Sequence, residues 1–350
     1  MKKKFYLIGL SMLVSLSILA GCTGLQSPDP LSSGKTASGP ETLRAMTFNI
    51  YYGGVPGYRR DTVNTIPFLN SDIDGIIRGI KAAKADIVCI QEKLNEWNPD
   101  QIGPNMAAVV AKRLGWYFKD QHKVDGAWGD LAFISKYPIV EEGTTESGLG
   151  VMVDVPGLGK LMVFNIHGMS YPYQPYQLNS IEYKNAPFIT KEKEAIHYAR
   201  KARGALGDRV AGEFKTLPAD LPVLIMGDHN EPSGDDWTQR AADAGLHPIA
   251  VNYPLTGTWK SLGMTDTYRK INPDEVKHPG VSWMVHGTPK DKGDHDRIDF
   301  IFARELPGRF EIKDCQLIGP AAWADIIIHD GLWISDHNAF VATLKLFPKK

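Results

Sequence analysis

The sequence predicts a mixed α/β (α+β) fold, a four-layer α/β/β/α sandwich in which two mixed sheets pack face to face with helices outside. Three observations carry this. Short runs rich in apolar and β-branched residues recur at 43–50, 86–92, 130–135, 150–155, 160–167, 222–228, 297–302, 311–318 and 339–347, several of them apolar at nearly every position. That is the pattern of strands buried on both faces. Segments with helical spacing fall between them, yet some neighbouring runs are joined too tightly for a helical crossover, so the sheets must contain hairpins.

The elements follow in order. LRAMTFNI (43–50) precedes a helix over 72–84, where Ile73, Ile76, Ile77 and Ile80 fall on one face. DIVCIQE (86–92) leads to a helix over 105–114 that Gly115 stops. DLAFIS (130–135) is close enough to 138–143 to form a hairpin with it, and GVMVDV (150–155) to KLMVFNIH (160–167). A long charged helix over 190–214 carries the stripe Ala195, Ile196, Ala199, Ala202, Ala205. PVLIMGD (222–228), a helix over 235–244 closed by Gly245, and the runs RIDFIF, EIKDCQLI and AFVATLKLF complete the series. No internal repeat and no second low-complexity break appears, so residues 42–350 read as one domain.

The N-terminus reads differently. Lys2, Lys3 and Lys4 precede an apolar stretch of 16 residues that ends Leu19-Ala20-Gly21-Cys22. The stretch is shorter than the roughly 20 residues that span a bilayer. It resembles a bacterial lipoprotein signal over 1–21, with Cys22 as the lipidated residue and an extracytoplasmic address. Thr23, rather than Asp, follows Cys22, which points to the outer membrane if the source is Gram-negative. Residues 22–41 are rich in Ser, Gly, Pro and Thr and read as a flexible tether. Cys89 and Cys315 lie in apolar runs and read as buried small hydrophobes rather than a disulfide.

The 350 residues are 43% hydrophobic and 23% charged with a net charge of −1. The near-neutral balance argues against a protein that holds nucleic acid mainly through phosphates, although a local basic groove is compatible with it. Chemistry is signalled instead at the ends of the apolar runs. MTFNI carries Asn49, VCIQE ends on Glu92, VFNIHG on His167, and VLIMGDHNE on Asp228 and Asn230. DHDRIDFIF carries Asp296 and Asp299, and WISDHNAF carries Asp336 and His337. Each has an ordinary explanation when taken singly: a turn former, a surface carboxylate, a structural histidine. Alternation along a strand places Asp228 and Asn230 on one face and His229 on the other.

Taken together the series resembles the endonuclease/exonuclease/phosphatase superfamily of metal-dependent phosphodiesterases and phosphatases. Its marks appear here as TFNI, IQE, NIHG, GDHN, RIDFIF and SDHN, with GVSW around Trp283 similar to an aromatic motif ahead of the RID strand, and they cover residues 43–347. The resemblance implies a phosphoester substrate and a hard cation, Mg²⁺ or Mn²⁺, which takes oxygen ligands. Glu92 would be the principal ligand, Asp336 a second, with Asn49 beside them. Asp228 would position or deprotonate the attacking water, and Asn230 would donate to the phosphoryl oxygens. His337 would meet the phosphate or move a proton, held in its tautomer by Asp299 or Asp296. Asp299 is favoured because it lies inside the apolar run, Asp296 then lining the mouth with His295 or belonging with it to the charged loop KDKGDHD. His167 would be the second imidazole on the phosphate. Motifs of zinc peptidases, serine hydrolases and P-loop proteins are absent.

Substrate type is less constrained. Tyr171, Tyr173, Tyr176 and Tyr183 follow the His167 run and, with Trp283, either stack on a ring or headgroup or pack on their own helix. The favoured reading is a monomeric, lipid-anchored phosphoesterase acting on small or lipid-linked phosphoesters. A nuclease is second, because Arg59-Arg60 and the basic residues of 191–203 lie among other polar and acidic groups. A binding protein on the same scaffold is third.

Overall fold

The computed structural model describes residues 39–54, 70–93, 105–121, 130–285 and 295–347. The expected signal, residues 22–38 of the tether with Cys22, and Arg59-Arg60 lie outside them. Thirteen strands and eight helices occur among the described residues. The strands are β1 (Thr42–Asn49), β2 (Ile87–Gln91), β3 (Tyr117–Gln121), β4 (Leu131–Ser135), β5 (Ile139–Val140), β6 (Gly150–Val155) and β7 (Gly159–His167), then β8 (Val223–Asp228), β9 (Thr265–Asp266), β10 (Asp299–Arg304), β11 (Phe310–Gly319), β12 (Ile326–Ile327) and β13 (Ala339–Leu346). The helices are α1 (Tyr51–Gly54), α2 (Asn70–Ala82), α3 (Met106–Leu114), α4 (Gln174–Leu178), α5 (Glu192–Thr216), α6 (Gln239–Asp243), α7 (Pro254–Ser261) and α8 (Thr267–Ile271).

One sheet has the order β12-β11-β13-β1-β2-β4-β3, the other β5-β6-β7-β8-β10-β9. Both mix parallel and antiparallel pairs: β1 runs parallel to β2 and antiparallel to β13, and β7 runs parallel to β8, which is antiparallel to β10. The expected sandwich is present. Side chains alternate along each strand, so Leu43, Ala45, Ile87 and Cys89 of one sheet meet Leu161, Val163, Leu224, Met226 and Ile301 of the other in a central core. The outer face of the first sheet, Met46, Phe48, Val88 and Ile90, packs on α2 and α3 through Ile73, Ile76, Ile80 and Val110. The outer face of the second packs on α5 and α7 through Leu206, Val210, Leu255 and Trp259.

Local signals behave as their chemistry dictates. The Asn105 side chain accepts a hydrogen bond from the Ala108 N–H at 3.1 Å, a cap worth about 1 kcal/mol, and Gly115 ends α3 with φ 68°. The hairpin of 150–155 with 160–167 forms as β6 and β7. The expected hairpin of 130–135 with 138–143 does not. β4 pairs with β2 and β3, whereas β5 pairs with β6 in the opposite sheet. The three residues between them carry the chain from one sheet to the other, because both strands have apolar faces that different neighbours bury. Cys89 and Cys315 are separate buried thiols. The compact unit runs from Ser38 to Lys350, and among the described residues no helix is long and apolar enough to cross a membrane.

Candidate active site

The strand registers bring the polar run-ends to one edge of the sandwich. Asn49 lies beside Gln91, His167 beside Asp228, and Asp228 beside Asp299. Period-2 alternation does the rest. Asn49, Gln91, Asn165, His167, Asp228 and Asp299 continue the same inward-facing rows as the apolar residues of the central core. The site is therefore the open end of the layer between the sheets, where apolar filling gives way to polar groups. His229 takes the opposite face. Its Nε2 accepts from the Trp259 Nε1–H at 2.9 Å and its ring meets Phe300 at 4.7 Å.

A buried staple holds the two sheets at this edge. The Gln91 amide donates to Asn165 Oδ1 at 2.7 Å, and the Asn165 amide donates to the carbonyls of Ile90 and Ala132, each at 3.0 Å. All of these groups are inaccessible, so each satisfied bond avoids the penalty of an unpaired buried amide. Gly227 is fixed by the same packing: a Cβ there would meet the Ile166 carbonyl oxygen at 2.0 Å.

Beyond the staple the functional groups converge. The Asn49 amide donates to Glu92 Oε1 at 3.1 Å and to Asp228 Oδ2 at 3.2 Å. His167 Nε2 lies 3.4 Å from Asp228 Oδ2 and 4.0 Å from Glu92 Oε1. His337 Nε2 lies 3.8 Å from Asp228 Oδ2 and 3.9 Å from Asp336 Oδ1. Each imidazole is held from behind by a carboxylate: His337 Nδ1 lies 2.8 Å from Asp299 Oδ2, and His167 Nδ1 lies 3.1 Å from both oxygens of Asp130. Glu92 has a left-handed backbone with φ 59°, which turns it out of β2 toward the cluster.

The electrostatics follow from burial and mutual proximity. Burial pushes the Glu92 carboxyl up to about 7, with Asp336 and Asp130 adding to the rise and His167 and His337 opposing it. Burial also disfavours charge on Asp228, but the hydrogen bond to His167 and the nearby imidazolium charges bring it down to about 2. Burial works against a charged His337, yet Asp299 and Asp336 outweigh it and raise the imidazole to about 10. His167 is raised as well, burial again being overcome by Asp130.

Three expected roles are corrected by this geometry. Asn49 points its amide N–H groups at the carboxylates while its Oδ1 accepts from the Tyr51 N–H at 3.0 Å, so it orients Glu92 and Asp228 rather than offering an oxygen to a metal. Asn230, at φ 48°, spends its amide on Gly168 O at 3.0 Å and Asp228 Oδ2 at 3.2 Å, so it fixes the Asp228 carboxylate rather than facing a phosphoryl oxygen. Asp296 and Tyr173 do not line the mouth. They are 1% and 3% exposed and bond to each other at 2.8 Å, with Trp237 Nε1–H donating to the second Asp296 oxygen at 2.8 Å. Tyr171, Tyr176, Tyr183 and Trp283 do form a half-exposed aromatic wall, with edge contacts of 5.4 Å (Tyr171–Tyr183) and 5.7 Å (Tyr176–Tyr183). Trp283 Nε1–H donates to Asp336 Oδ2 at 3.2 Å, which joins that wall to the cluster.

Sequence reasoning passed over two groups. Asp130, the partner of His167, opens the apolar run DLAFIS, and a carboxylate at the start of a run is the same signal as one at its end when the strand is antiparallel. Arg203 sits inside the charged helix α5, yet it is 1% exposed and bonds Glu231 Oε2 at 2.9 Å, the Met169 carbonyl at 2.5 Å, and Gln174. Nothing in its charged surroundings marks it as buried.

Comparison with known proteins agrees with the fold. The model of the Endonuclease/Exonuclease/phosphatase family matches residues 46–337. An uncharacterized protein of Caenorhabditis elegans is 22% identical over 276 residues, 74% of this chain and 78% of that protein. The crystal structure of an endonuclease/exonuclease/phosphatase from Beutenbergia cavernae superposes with a TM-score of 0.53 at 20% identity, covering 88% of this chain and 72% of that one. An AP endonuclease from Archaeoglobus fulgidus gives a TM-score of 0.47 at 18% identity, covering 86% and 98%.

Proposed function

This chain belongs to the endonuclease/exonuclease/phosphatase family, and on that premise we propose that it is a divalent-cation-dependent hydrolase of small or lipid-linked phosphoesters. The observation that carries the reading is the convergence of Glu92 and Asp228 on the Asn49 amide, with two carboxylate-backed imidazoles against Asp228 and with Asp336 beside one of them. The donor set suits a hard cation. Asp336 Oδ1 is buried without a hydrogen-bond partner among the described residues, and Glu92 is driven toward neutrality first by burial and then by the neighbouring acids. Glu92 and Asp336 would hold Mg²⁺ or Mn²⁺, which when bound polarises a phosphoryl oxygen and steadies the leaving oxygen.

The chain's own groups supply the remainder. Asp228, ionised at every working pH, orients the attacking water as an acceptor; its low proton affinity makes it a better director than proton store. Asn230 and Asn49 fix that carboxylate from two sides. His337 is cationic near neutrality and pairs with a phosphoryl oxygen as negative charge grows there. His167, kept charged by Asp130, faces the same point through Nε2 and can deliver a proton to the departing oxygen.

The substrate preference rests on the near-neutral charge and the aromatic wall of Tyr171, Tyr176, Tyr183 and Trp283, which fits a ring or a headgroup better than a run of backbone phosphates. Lipid anchoring through Cys22 rests on the sequence of the first 22 residues; loss of fatty-acid labelling in Cys22→Ser tests it. The full chain with Mg²⁺ or Mn²⁺ is assayed on bis-p-nitrophenyl phosphate, p-nitrophenyl phosphate, sphingomyelin and plasmid DNA, with His337→Ala as control. Turnover of the small or lipid esters, abolished in the control, is expected. Degradation of plasmid alone promotes the nuclease reading, and turnover of nothing leaves a binding protein.

A further inference from the structure

Behind the aromatic wall lies a second group of ligand-type side chains, His247, His295 and Asp296, which the hydrolytic reading leaves unused. We infer that these three residues form a site for one divalent transition-metal ion of the zinc class, separate from the catalytic carboxylates and independent of what they hydrolyse. The three offer one ligand atom each, and these atoms all lie within 4.8 Å of one another. Zinc holds nitrogen and oxygen at roughly 2.0–2.2 Å, so tetrahedral ligands sit about 3.4 Å apart, and the cluster closes on an ion with movements on the order of 1 Å.

The hydrogen bonding is that of a metal site's outer shell. His295 Nε2 lies 2.9 Å from the Leu246 carbonyl, which can only accept, so Nε2 carries the proton and Nδ1 presents its lone pair. A carbonyl on the far nitrogen is the arrangement that orients metal-bound imidazoles. Both His295 Nδ1 and His247 Nδ1 are buried and without a hydrogen-bond partner among the described residues. Two imidazole nitrogens left unpaired side by side is an unusual use of buried polar groups unless something supplies the missing partner.

The ligands are also held in place. The His247 ring stacks on Trp237 at 4.1 Å and 14°, and Trp237 in turn donates to Asp296. Tyr173 donates to the other Asp296 oxygen, and each oxygen keeps a second lone pair for an ion. The adjoining cavity is about 10 Å³; its lining includes His247, His295 and Asp296 with Asp236, Glu275 and the ion-paired Arg297, and it has room for an ion or one water. Two imidazoles and one carboxylate select zinc-type ions, whereas the oxygen-rich catalytic set selects Mg²⁺ or Mn²⁺. Because Asp296 also anchors Tyr173, the ion would brace the aromatic wall from behind.

The test is made on the purified full chain, stripped with chelator and dialysed against Zn²⁺ in excess Mg²⁺. Bound metal is counted by plasma mass spectrometry, and the visible spectrum is recorded after Co²⁺ replacement. The unmutated chain and Glu92→Gln are expected to retain one equivalent of zinc and a tetrahedral cobalt band, with both lost and affinity down at least tenfold in His247→Gln and His295→Gln. His247 is half-buried and His295 is buried, so His247→Gln is the milder change to the fold, and thermal melting of each variant records this. Zinc retained in His247→Gln, zinc lost only in Glu92→Gln, or no zinc and no tetrahedral cobalt band in the unmutated chain would each overturn the inference.

Discussion

Replacing Arg203 by Met tests the link between the helical layer and the catalytic edge. Arg203 and Glu231 are 1% and 0% exposed, and their side chains meet at 2.9 Å. Without the guanidinium, Glu231 keeps the Leu255 N–H at 2.7 Å but loses the cation paired with it, and the carbonyl of Met169 and the amide oxygen of Gln174 lose a donor. Removing one partner of a buried ion pair costs about 3–5 kcal/mol, mostly from the charge left behind. A domain of roughly 310 residues unfolds with an entropy near 0.65 kcal/mol/K, so the melting temperature should fall by about 5–8 °C. The residues released, 169–174, carry the tyrosine segment, so kcat/KM should fall as well. Calorimetry of the single variant and of Arg203→Met with Glu231→Gln separates the causes, since the neutral amide still accepts from Leu255 and should recover at least half the loss. A drop under 2 °C, or a double variant no better than the single one, refutes the unpaired charge as the source.

The other predictions concern the site. Asp299→Asn should lower kcat by about 10²–10⁴ at pH 7, because the carboxylate 2.8 Å from His337 Nδ1 is lost, and should bring the imidazole down from about 10; an unchanged imidazole titration by NMR speaks against this. Glu92→Gln should weaken Mg²⁺ binding at least tenfold by calorimetry. In the unmutated chain the affinity should decline as pH falls below about 7, since the carboxyl must give up a proton to take the ion; equal binding by both proteins at all pH values contradicts it. His229 is depressed to about 4 by burial, so the unfolded chain takes up a proton that the native state refuses. Its contribution is fully present above about pH 6.5 and shrinks as pH falls toward 4, by up to about 3 kcal/mol. His229→Gln, which keeps an acceptor for Trp259, should flatten that part of the stability profile, and parallel profiles would rule the effect out.

The sequence by itself determined which residues face inward. A strand's period of 2 is a property of its own backbone, so Asn49, His167, Asp228 and Asp299 were legible as the polar ends of apolar rows, and the sandwich as the way to bury those rows; Glu92, of opposite parity to Ile87 and Cys89, reaches the cluster only through its left-handed backbone. It determined helix ends too, because Asn105 and Gly115 act on their own turns. Only the tertiary structure decided which strands became neighbours and where each amide pointed. β4 and β5 part into different sheets, Asp130 backs His167 across 37 positions, and Arg203 is drawn inside a helix that looks solvated. The amides of Asn49 and Asn230 turn toward carboxylates rather than outward, and Asp296 is sealed by Tyr173 and Trp237. The physical reason is one of range: period and caps are fixed by residues a few positions apart, whereas partnership between buried polar groups depends on distant segments that meet only when the two sheets close.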